Sequence, residues 1–248
     1  MNRLFSISLA ALSILTAGAH GHSPELHTMH DSDGYRVQIA LGGKNLLTSP
    51  PEGLWSIATE WKDGWPGSWL HAKPSEIEHV GEWTILRGRL ETSAGTWRLS
   101  DSYRPEGKVI KCVRRFTWEG KEPAKHVTLS VRFQCPGTGS KAVLPGILYH
   151  GNPSGAKSGR VPVYSGKPGE EAIYEEHRFP MPYASLEWAA KGDLRGAALH
   201  SLPSPVPCGN LEDQWWSLGL IGKESRTEMV LLTGPCASNG KRLSLIHI

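Results

Sequence analysis

The side chains best suited to bind a ligand in this sequence are clustered tryptophans and polar residues that lie among glycines and prolines. The flat face of a tryptophan ring matches the CH face of a sugar ring, although most of the 10 tryptophans are expected in the core, where this residue type also packs. Trp65 and Trp69 are the exceptions that we favour. They belong to the run Asp63-Gly64-Trp65-Pro66-Gly67-Ser68-Trp69, whose composition is typical of a loop that would leave both rings exposed.

Hydrogen-bonding side chains gather in three further segments: Tyr149-His150-Gly151-Asn152, Glu175-Glu176-His177-Arg178 and Asn210-Leu211-Glu212-Asp213. Their imidazole, amide, carboxylate and guanidinium groups would hold sugar hydroxyls or a uronate. We predict that substrate is bound by His150, Asn152, Glu176, His177 and Arg178 together with the two tryptophans. The candidates for acid–base chemistry are Glu176, His177 and Asp213, of which the two carboxylates could form a hydrolase pair. A solvated charged surface is the alternative interpretation of these segments.

Other chemistries find less support. If the chain is cleaved after Ala19, His20 becomes the amino terminus, as in the copper site of lytic polysaccharide monooxygenases, but nothing else in the sequence matches that family. The sequence has no Gly-rich phosphate loop, GxSxG elbow or HExxH motif. A net charge of +3 is too small for a nucleic-acid partner. We therefore expect no cofactor, no metal and no nucleic acid.

The amino-terminal residues have the layout of a secretory signal peptide. Arg3 precedes an apolar run from Leu4 to Leu15, and small residues follow up to Ala19. We expect residues 1–19 to be removed and residues 20–33 to form a His-rich tail. No later apolar run is long enough to span a bilayer, so a membrane partner is not expected and the protein should be secreted or periplasmic. In that compartment the four cysteines are free thiols or two disulfides in any of three pairings.

The last six residues, Leu243-Ser244-Leu245-Ile246-His247-Ile248, read as the translation of a transposase end sequence used in sequencing libraries. An ordinary alternating strand is the other interpretation of this segment. We expect residues 243–248 to be an adapter translation and the natural reading frame to continue beyond Arg242.

The composition favours short strands over helices, because 28 glycines and 18 prolines interrupt the sequence throughout. We predict one all-β domain over residues 34–242, an antiparallel β-sandwich, with a long functional loop from Pro136 to Ala172. Between Trp83 and Gln134, turn sequences join the strands into a meander of antiparallel hairpins. The predicted strands are Tyr35 to Leu41, Leu54 to Trp61, Trp83 to Leu90, Thr96 to Tyr103, Val109 to Trp118, His126 to Gln134, Ile147 to His150, Ala172 to Phe179, Ala184 to Trp188, Gly196 to Ser201, Gln214 to Leu220 and Glu228 to Leu232.

In strand rhythm, the segments Trp97 to Tyr103, Ile110 to Trp118 and Val127 to Phe133 resemble the galactose-mutarotase-like supersandwich. This domain precedes the (α/α)6-barrel, or six-hairpin, catalytic domain of bacterial glycoside hydrolases and polysaccharide lyases, where loops of the sandwich face the cleft and the barrel carries the acid and base. The resemblance implies an oligo- or polysaccharide partner and a missing C-terminal catalytic domain in cis. On this basis the chain would bind or scaffold and would not be active alone.

Two other functions are considered. The first is a stand-alone mutarotase-like domain that binds or epimerises a sugar. Mutarotases act at C1 and O5 with a histidine and a glutamate, and the resemblance would assign these roles to His150 or His177 and to Glu176 or Glu212. The second is a structural sandwich of the cell envelope without a ligand.

Overall fold

The computed structural model describes residues 4–7, 11–13, 22–62, 65–124, 126–136, 141–144, 164–175, 183–190, 193–200 and 216–233. These residues form eighteen β-strands and no α-helix, which confirms the predicted all-β class. The strands are β1 Leu4–Ile7, β2 Ala11–Ser13, β3 Pro24–Asp31, β4 Gly34–Leu41, β5 Lys44–Thr48, β6 Trp55–Lys62, β7 Trp65–Ala72, β8 Glu76–Val80, β9 Trp83–Thr92, β10 Gly95–Glu106, β11 Val109–Gly120, β12 Thr128–Cys135, β13 Lys141–Val143, β14 Glu171–Glu175, β15 Tyr183–Ala190, β16 Asp193–His200, β17 Trp216–Gly222 and β18 Thr227–Thr233. No helix within the described residues is long and apolar enough to cross a membrane.

The strands pair into two antiparallel sheets. The first sheet has the order β13-β15-β16-β2-β11-β10-β9-β8, and β1 also pairs with β11. The second has the order β14-β17-β18-β12-β5-β4-β3, and the β6–β7 hairpin joins it through β12. Apolar side chains of both sheets belong to one buried cluster, so the predicted antiparallel sandwich is confirmed.

Alternation along the strands decides which side chains enter this core. In β12, Leu129, Val131 and Phe133 belong to the apolar cluster, whereas Ser130 and Arg132 belong to the opposite face. In β11 the sequence left the face assignment open, because both faces mix polar and apolar residues. The structure buries the Ile110, Cys112, Arg114 and Phe116 face.

The charged member of that buried face, Arg114, pairs with Asp101 of β10. Both side chains are fully buried, and Arg114 donates from Nε and Nη2 to the two carboxylate oxygens of Asp101 at 2.8 and 2.6 Å. Trp55 Nε1 and the Tyr103 hydroxyl donate to the same carboxylate at 2.7 and 2.5 Å. Arg114 Nη1 donates to the Ser130 carbonyl oxygen at 2.6 Å. The network therefore connects the first sheet to β6 and β12 of the second.

The predicted meander is correct for β9, β10 and β11, which β8 extends, but wrong for β12. Strand β12 pairs with β18, β5 and β6 of the second sheet and not with β11. Its burial explains the difference, because seven of its eight residues are buried and such a strand suits the middle of a covered sheet. The edge of β11 that faces away from β10 pairs with β1 and β2.

Two further segments differ from the sequence-based expectation. Residues 24–31 of the expected tail form β3, which pairs with β4 along its whole length. The run containing Trp65 and Trp69 is not a loop but β7, which pairs with β6. In both places the partner strand supplies backbone hydrogen bonds, and these outweigh the weak strand preference of His, Gly and Pro.

Parts of two other predictions fall on described residues. Within the expected loop from Pro136 to Ala172, residues 141–143 form β13, which pairs with β15, while residues 145–163 lie outside the described residues. Cys112 and Cys135 are buried free thiols, and burial raises the pKa of both. Cys208 and Cys236 lie outside the described residues.

Candidate functional site

A cavity of about 210 Å³ opens on the face of the second sheet that points away from the core. Val230 and Leu232 of β18 contribute to it, whereas their neighbour Leu231 belongs to the core. The cavity therefore combines an apolar floor with charged and aromatic walls. Its lining residues are Glu52, Trp69, His71, Arg132, Glu171, Ile173, Ile221, Lys223, Val230 and Leu232.

Strand register brings these residues together from distant parts of the chain. Trp69 and His71 alternate on β7 and so share a face, and Ser56 of β6 lies directly opposite His71. On the neighbouring strands, Arg132 of β12 lies opposite Val230 of β18. The β6–β7 hairpin thus places Trp69 and His71 next to Arg132 on the β12–β18 pair.

Arg132 is the centre of the polar network. Its Nη1 donates to Ser56 Oγ at 3.0 Å, its Nε to Glu228 Oε1 at 2.5 Å and its Nη2 to Glu52 Oε1 at 3.1 Å. Glu228 is fully buried, and its second oxygen accepts from Gln134 Nε2 at 3.3 Å. A guanidinium held by three partners keeps one orientation, and the two carboxylates among these partners balance its charge.

His71 is anchored to the same network through Ser56. The Ser56 hydroxyl lies 2.8 Å from His71 Nδ1 and accepts a hydrogen bond from Arg132, which can only donate. The Ser56 hydroxyl, having accepted from Arg132, still has its hydrogen free to donate to Nδ1, and on this basis we assign the tautomer with the proton on Nε2. Burial, followed by the positive charge of Arg132, lowers the pKa of His71 below its ordinary value of 6.5. A neutral imidazole thus contributes an N–H donor.

Trp69 is half-buried beside His71 and follows a residue with an unusual backbone conformation. The preceding residue, Ser68, has a φ of 49°, which a residue with a side chain rarely adopts. The Ser68 hydroxyl donates to Glu60 across the β6–β7 hairpin, which stabilises this conformation. The departure from regular strand geometry falls directly next to the aromatic residue that lines the cavity.

The charged groups of the cavity are largely paired with one another. Of the carboxylates that contact Arg132, Glu228 is buried and Glu52 is partly exposed, and both are ion-pair partners of the same guanidinium. Glu171 and Lys223 add one charge of each sign to the lining. Among the described residues, no group of three metal-ligating side chains is present.

Only part of the predicted site can be compared with this cavity. Trp69 lines it, although it lies on a strand and not in a loop. Trp65 is the first residue of the same strand, opposite Lys62. The remaining predicted residues lie outside the described residues and stay predictions: His150, Asn152, Glu176, His177, Arg178 and Asp213.

Sequence reasoning missed Ser56, His71, Arg132 and Glu228. One signal was present, since Arg132 stands between two apolar residues in a strand with strict alternation, and a charge there marks a functional or paired face. A second signal is the spacing of Trp69 and His71, which places both rings on one face of any strand. The pairing of Arg132 with a glutamate 96 residues away carries no local signal.

Comparison of the chain with protein-family models, with curated proteins and with solved structures gave no match. A proposal for the function of the chain therefore depends on the residues of the cavity and on the resemblance of its strand rhythm to the supersandwich.

Proposed function

We propose that this chain is the carbohydrate-facing β-sandwich domain of an exported polysaccharide-degrading enzyme, a glycoside hydrolase or lyase, and that the cavity on its second sheet contacts the sugar. The observation that carries the proposal is the placement of the half-buried Trp69 ring next to His71 and Arg132 in one cavity. An aromatic face beside fixed hydrogen-bond donors is the combination that a sugar ring requires.

The size of the cavity indicates how much ligand it takes. Its volume of about 210 Å³ is below the roughly 300–1,000 Å³ of pockets that enclose drug-sized ligands. A single sugar residue of a longer chain fits this space better than an enclosed oligosaccharide. The apolar side chains Ile173 and Ile221 and the Trp69 ring would contact CH groups, while His71 would donate to a hydroxyl.

The catalytic part of the proposal depends on the supersandwich resemblance alone. In the enzymes that this sequence resembles, a barrel domain supplies the acid and base, and we extend that arrangement to this chain. The two carboxylates around Arg132 fit this division of labour, because their ion pairs suit a positioning role.

A stand-alone mutarotase-like domain is the second candidate. The observation in its favour is that His71 and Glu52 line the same cavity, since mutarotases use a histidine and a glutamate. The anomers of a free sugar would then interconvert faster in the presence of this chain, and exchange spectroscopy by NMR would detect it. No acceleration is expected if the cavity only binds.

Binding of neutral oligosaccharides, measured by calorimetry on the full-length protein and on this chain, tests the proposal. Trp69→Ala should weaken binding by roughly fivefold, because the loss of an aromatic face removes on the order of 1 kcal/mol. His71→Ala should change which sugar is preferred, because it removes a directional donor. Trp83→Ala is the matched control, since Trp83 is also half-buried but begins β9 of the first sheet. The proposal is wrong if folded Trp69→Ala and His71→Ala variants bind every tested sugar as the unaltered protein does.

A further inference from the structure

The outer face of the first sheet carries a groove with four arginines. The groove has a volume of about 500 Å³ and lies on β8 to β11, on the side of the molecule opposite to the cavity of the second sheet. Arg87, Arg89, Arg98 and Arg115 line it, and all four are exposed. They alternate along the strands with buried residues such as Leu86 and Leu99. Because successive side chains of a strand point to opposite faces, the arginines point away from the core.

Register places these charges next to one another. Arg89 of β9 lies directly opposite Arg98 of β10, and like charges in that position destabilise a sheet. Ser100, the next residue of β10 on this face, lies between Arg87 and Arg115 on its two neighbouring strands. Arg87 has the carboxylate of Glu76 opposite it on β8, whereas the two cross-strand neighbours of Arg98 are Arg89 and Thr117, neither of which is acidic.

Carboxylates are present, but chiefly at the margins of the groove. Arg87 pairs with Glu78 at 2.5 Å and Arg98 pairs with Glu119 at 2.6 Å. The four side chains are between 32% and 57% exposed. Exposed pairs of this kind contribute little free energy and exchange readily with other anions. Among the residues that the structure describes, Glu76 is the carboxylate that lines the groove itself, directly opposite Arg87.

We propose that this groove binds the carboxylate or sulfate groups of an acidic polysaccharide. The arginines are spread over neighbouring strands about 4.8 Å apart, an array that meets several anionic groups along an extended polymer. Ser100 and Thr117 add hydroxyl groups that suit the sugar hydroxyls between the charges. A nucleic acid presents phosphates to the same guanidinium groups, so single-stranded DNA is the competing polyanion in the test.

The test measures retardation of the protein in gels that contain polygalacturonate, dextran sulfate or neutral dextran. The unaltered protein should be retarded by at least one of the two polyanions, less so as salt increases, and not by neutral dextran. Arg89→Gln/Arg98→Gln should weaken this binding roughly tenfold or more, since it removes two charge-assisted contacts. Polygalacturonate and dextran sulfate distinguish a carboxylate from a sulfate ligand. Lys108→Gln/Lys167→Gln, which removes two exposed charges elsewhere, should leave the binding unchanged.

Thermal unfolding of the same variants separates a binding role from a structural one. Arg89→Gln should keep or raise the melting temperature, because it relieves the repulsion with Arg98, while polyanion binding falls. The proposal is overturned if neither polyanion retards the unaltered protein, if the double variant binds as well as it, or if single-stranded DNA binds more tightly than both polyanions. Trp69→Ala should not change polyanion binding, so failure of this groove and failure of the sugar cavity are distinguishable.

Discussion

Asp101 is an acidic residue whose side chain is fully buried, and four N–H and O–H donors and the Cys112 thiol point to its carboxylate. Two nitrogens of Arg114, the Trp55 indole and the Tyr103 hydroxyl all donate to its carboxylate. Burial and the neighbouring carboxylate raise the pKa of Tyr103, so its hydroxyl remains a donor throughout the physiological range. Every polar group of this cluster thus depends on the Asp101 charge.

Removal of one member of the Asp101–Arg114 pair should therefore be severe. We expect Asp101→Asn to lower the free energy of unfolding by about 3–5 kcal/mol, because it leaves a buried guanidinium without a counter-charge. Arg114→Met should cost a similar amount for the opposite reason. The double variant should be less destabilised than the sum of the two, and urea unfolding of all three measures this coupling. A single-variant loss below about 1 kcal/mol would contradict the buried-pair interpretation.

His71 should make stability depend on pH in the mildly acidic range. The folded protein binds the imidazole proton less readily than the unfolded chain, since burial and Arg132 lower the pKa of His71 below 6.5. Unfolding is favoured as the pH falls from about 6.5 towards the folded pKa, and the stability contributed by the neutral ring is lost there. The pKa values of Asp31, Glu106 and Glu170 are also lowered, from ordinary values of 3.8 to 4.5. These carboxyl groups therefore change stability only at more acidic pH than His71 does.

The corresponding measurement is the urea midpoint of unfolding at about pH 7.5 and about pH 5.5. His71→Asn should lose less stability between the two pH values than the unaltered protein. Some dependence should remain, because burial also lowers the pKa of His200. An identical loss in both proteins would show that His71 does not titrate as proposed.

At the level of the strands, the sequence predicted much of what the structure contains. β4, β6, β9, β10 and β11 begin within one residue of the predicted positions, because their apolar and β-branched residues alternate and turn residues bound them. β3, β5, β7 and β8 were missed. β3, β7 and β8 are rich in charged, His, Gly or Pro residues, β5 is only five residues long, and all four pair with a neighbouring strand.

The candidate site was harder to predict than the strands that carry it. Its residues lie mainly on β6, β7, β12, β14, β17 and β18, and their proximity follows from the order of strands in the second sheet. Local sequence determines whether Arg132 is on the outer face, but not that Ser56 and Glu228 meet it there. Trp69 was predicted from its residue type and its Gly- and Pro-rich neighbours, and it lines the cavity from a strand and not from the expected loop.

The contact between the β6 and β9 elements can be tested at a glycine. A Cβ atom at Gly88 of β9 would lie 2.6 Å from Trp55 Cζ3 and 2.9 Å from the Lys73 carbonyl oxygen. We expect Gly88→Ala to lower the free energy of unfolding by about 1–3 kcal/mol, because the core cannot admit the extra methyl group. Gly67→Ala on β7 is the control, since its nearest neighbour, Glu60 Oε1, is 3.7 Å away. Equal thermal stability of the two variants would contradict this packing.

At the scale of the whole molecule, the amino-terminal strands link the structure to the predicted export. Residues 11–13 lie between β11 and β16, and they are the contact that joins these two parts of the first sheet. The sequence predicts that the same residues are removed with a signal peptide. Cleavage would leave the facing edges of β11 and β16 without this partner.

We expect the exported protein to begin at His20, which intact-mass measurement of secreted or periplasmic material would establish. Hydrogen exchange at residues 109–111 and 198–200 should then be faster in the mature protein than in the uncleaved precursor, because their strand partner is gone. Export with Met1 retained would contradict the prediction and would make β2 a permanent strand.

The placement of Asp101 and Arg114 on one hairpin has a consequence for the order of folding. The two residues face each other across β10 and β11 and are 13 residues apart, so the ion pair can form while the hairpin is still surrounded by water. The Ser130 carbonyl and the Trp55 indole belong to the other sheet and reach the pair only when the sheets meet. If the hairpin forms first, the charges enter the interior already neutralised, and no lone ion has to lose its hydration during collapse.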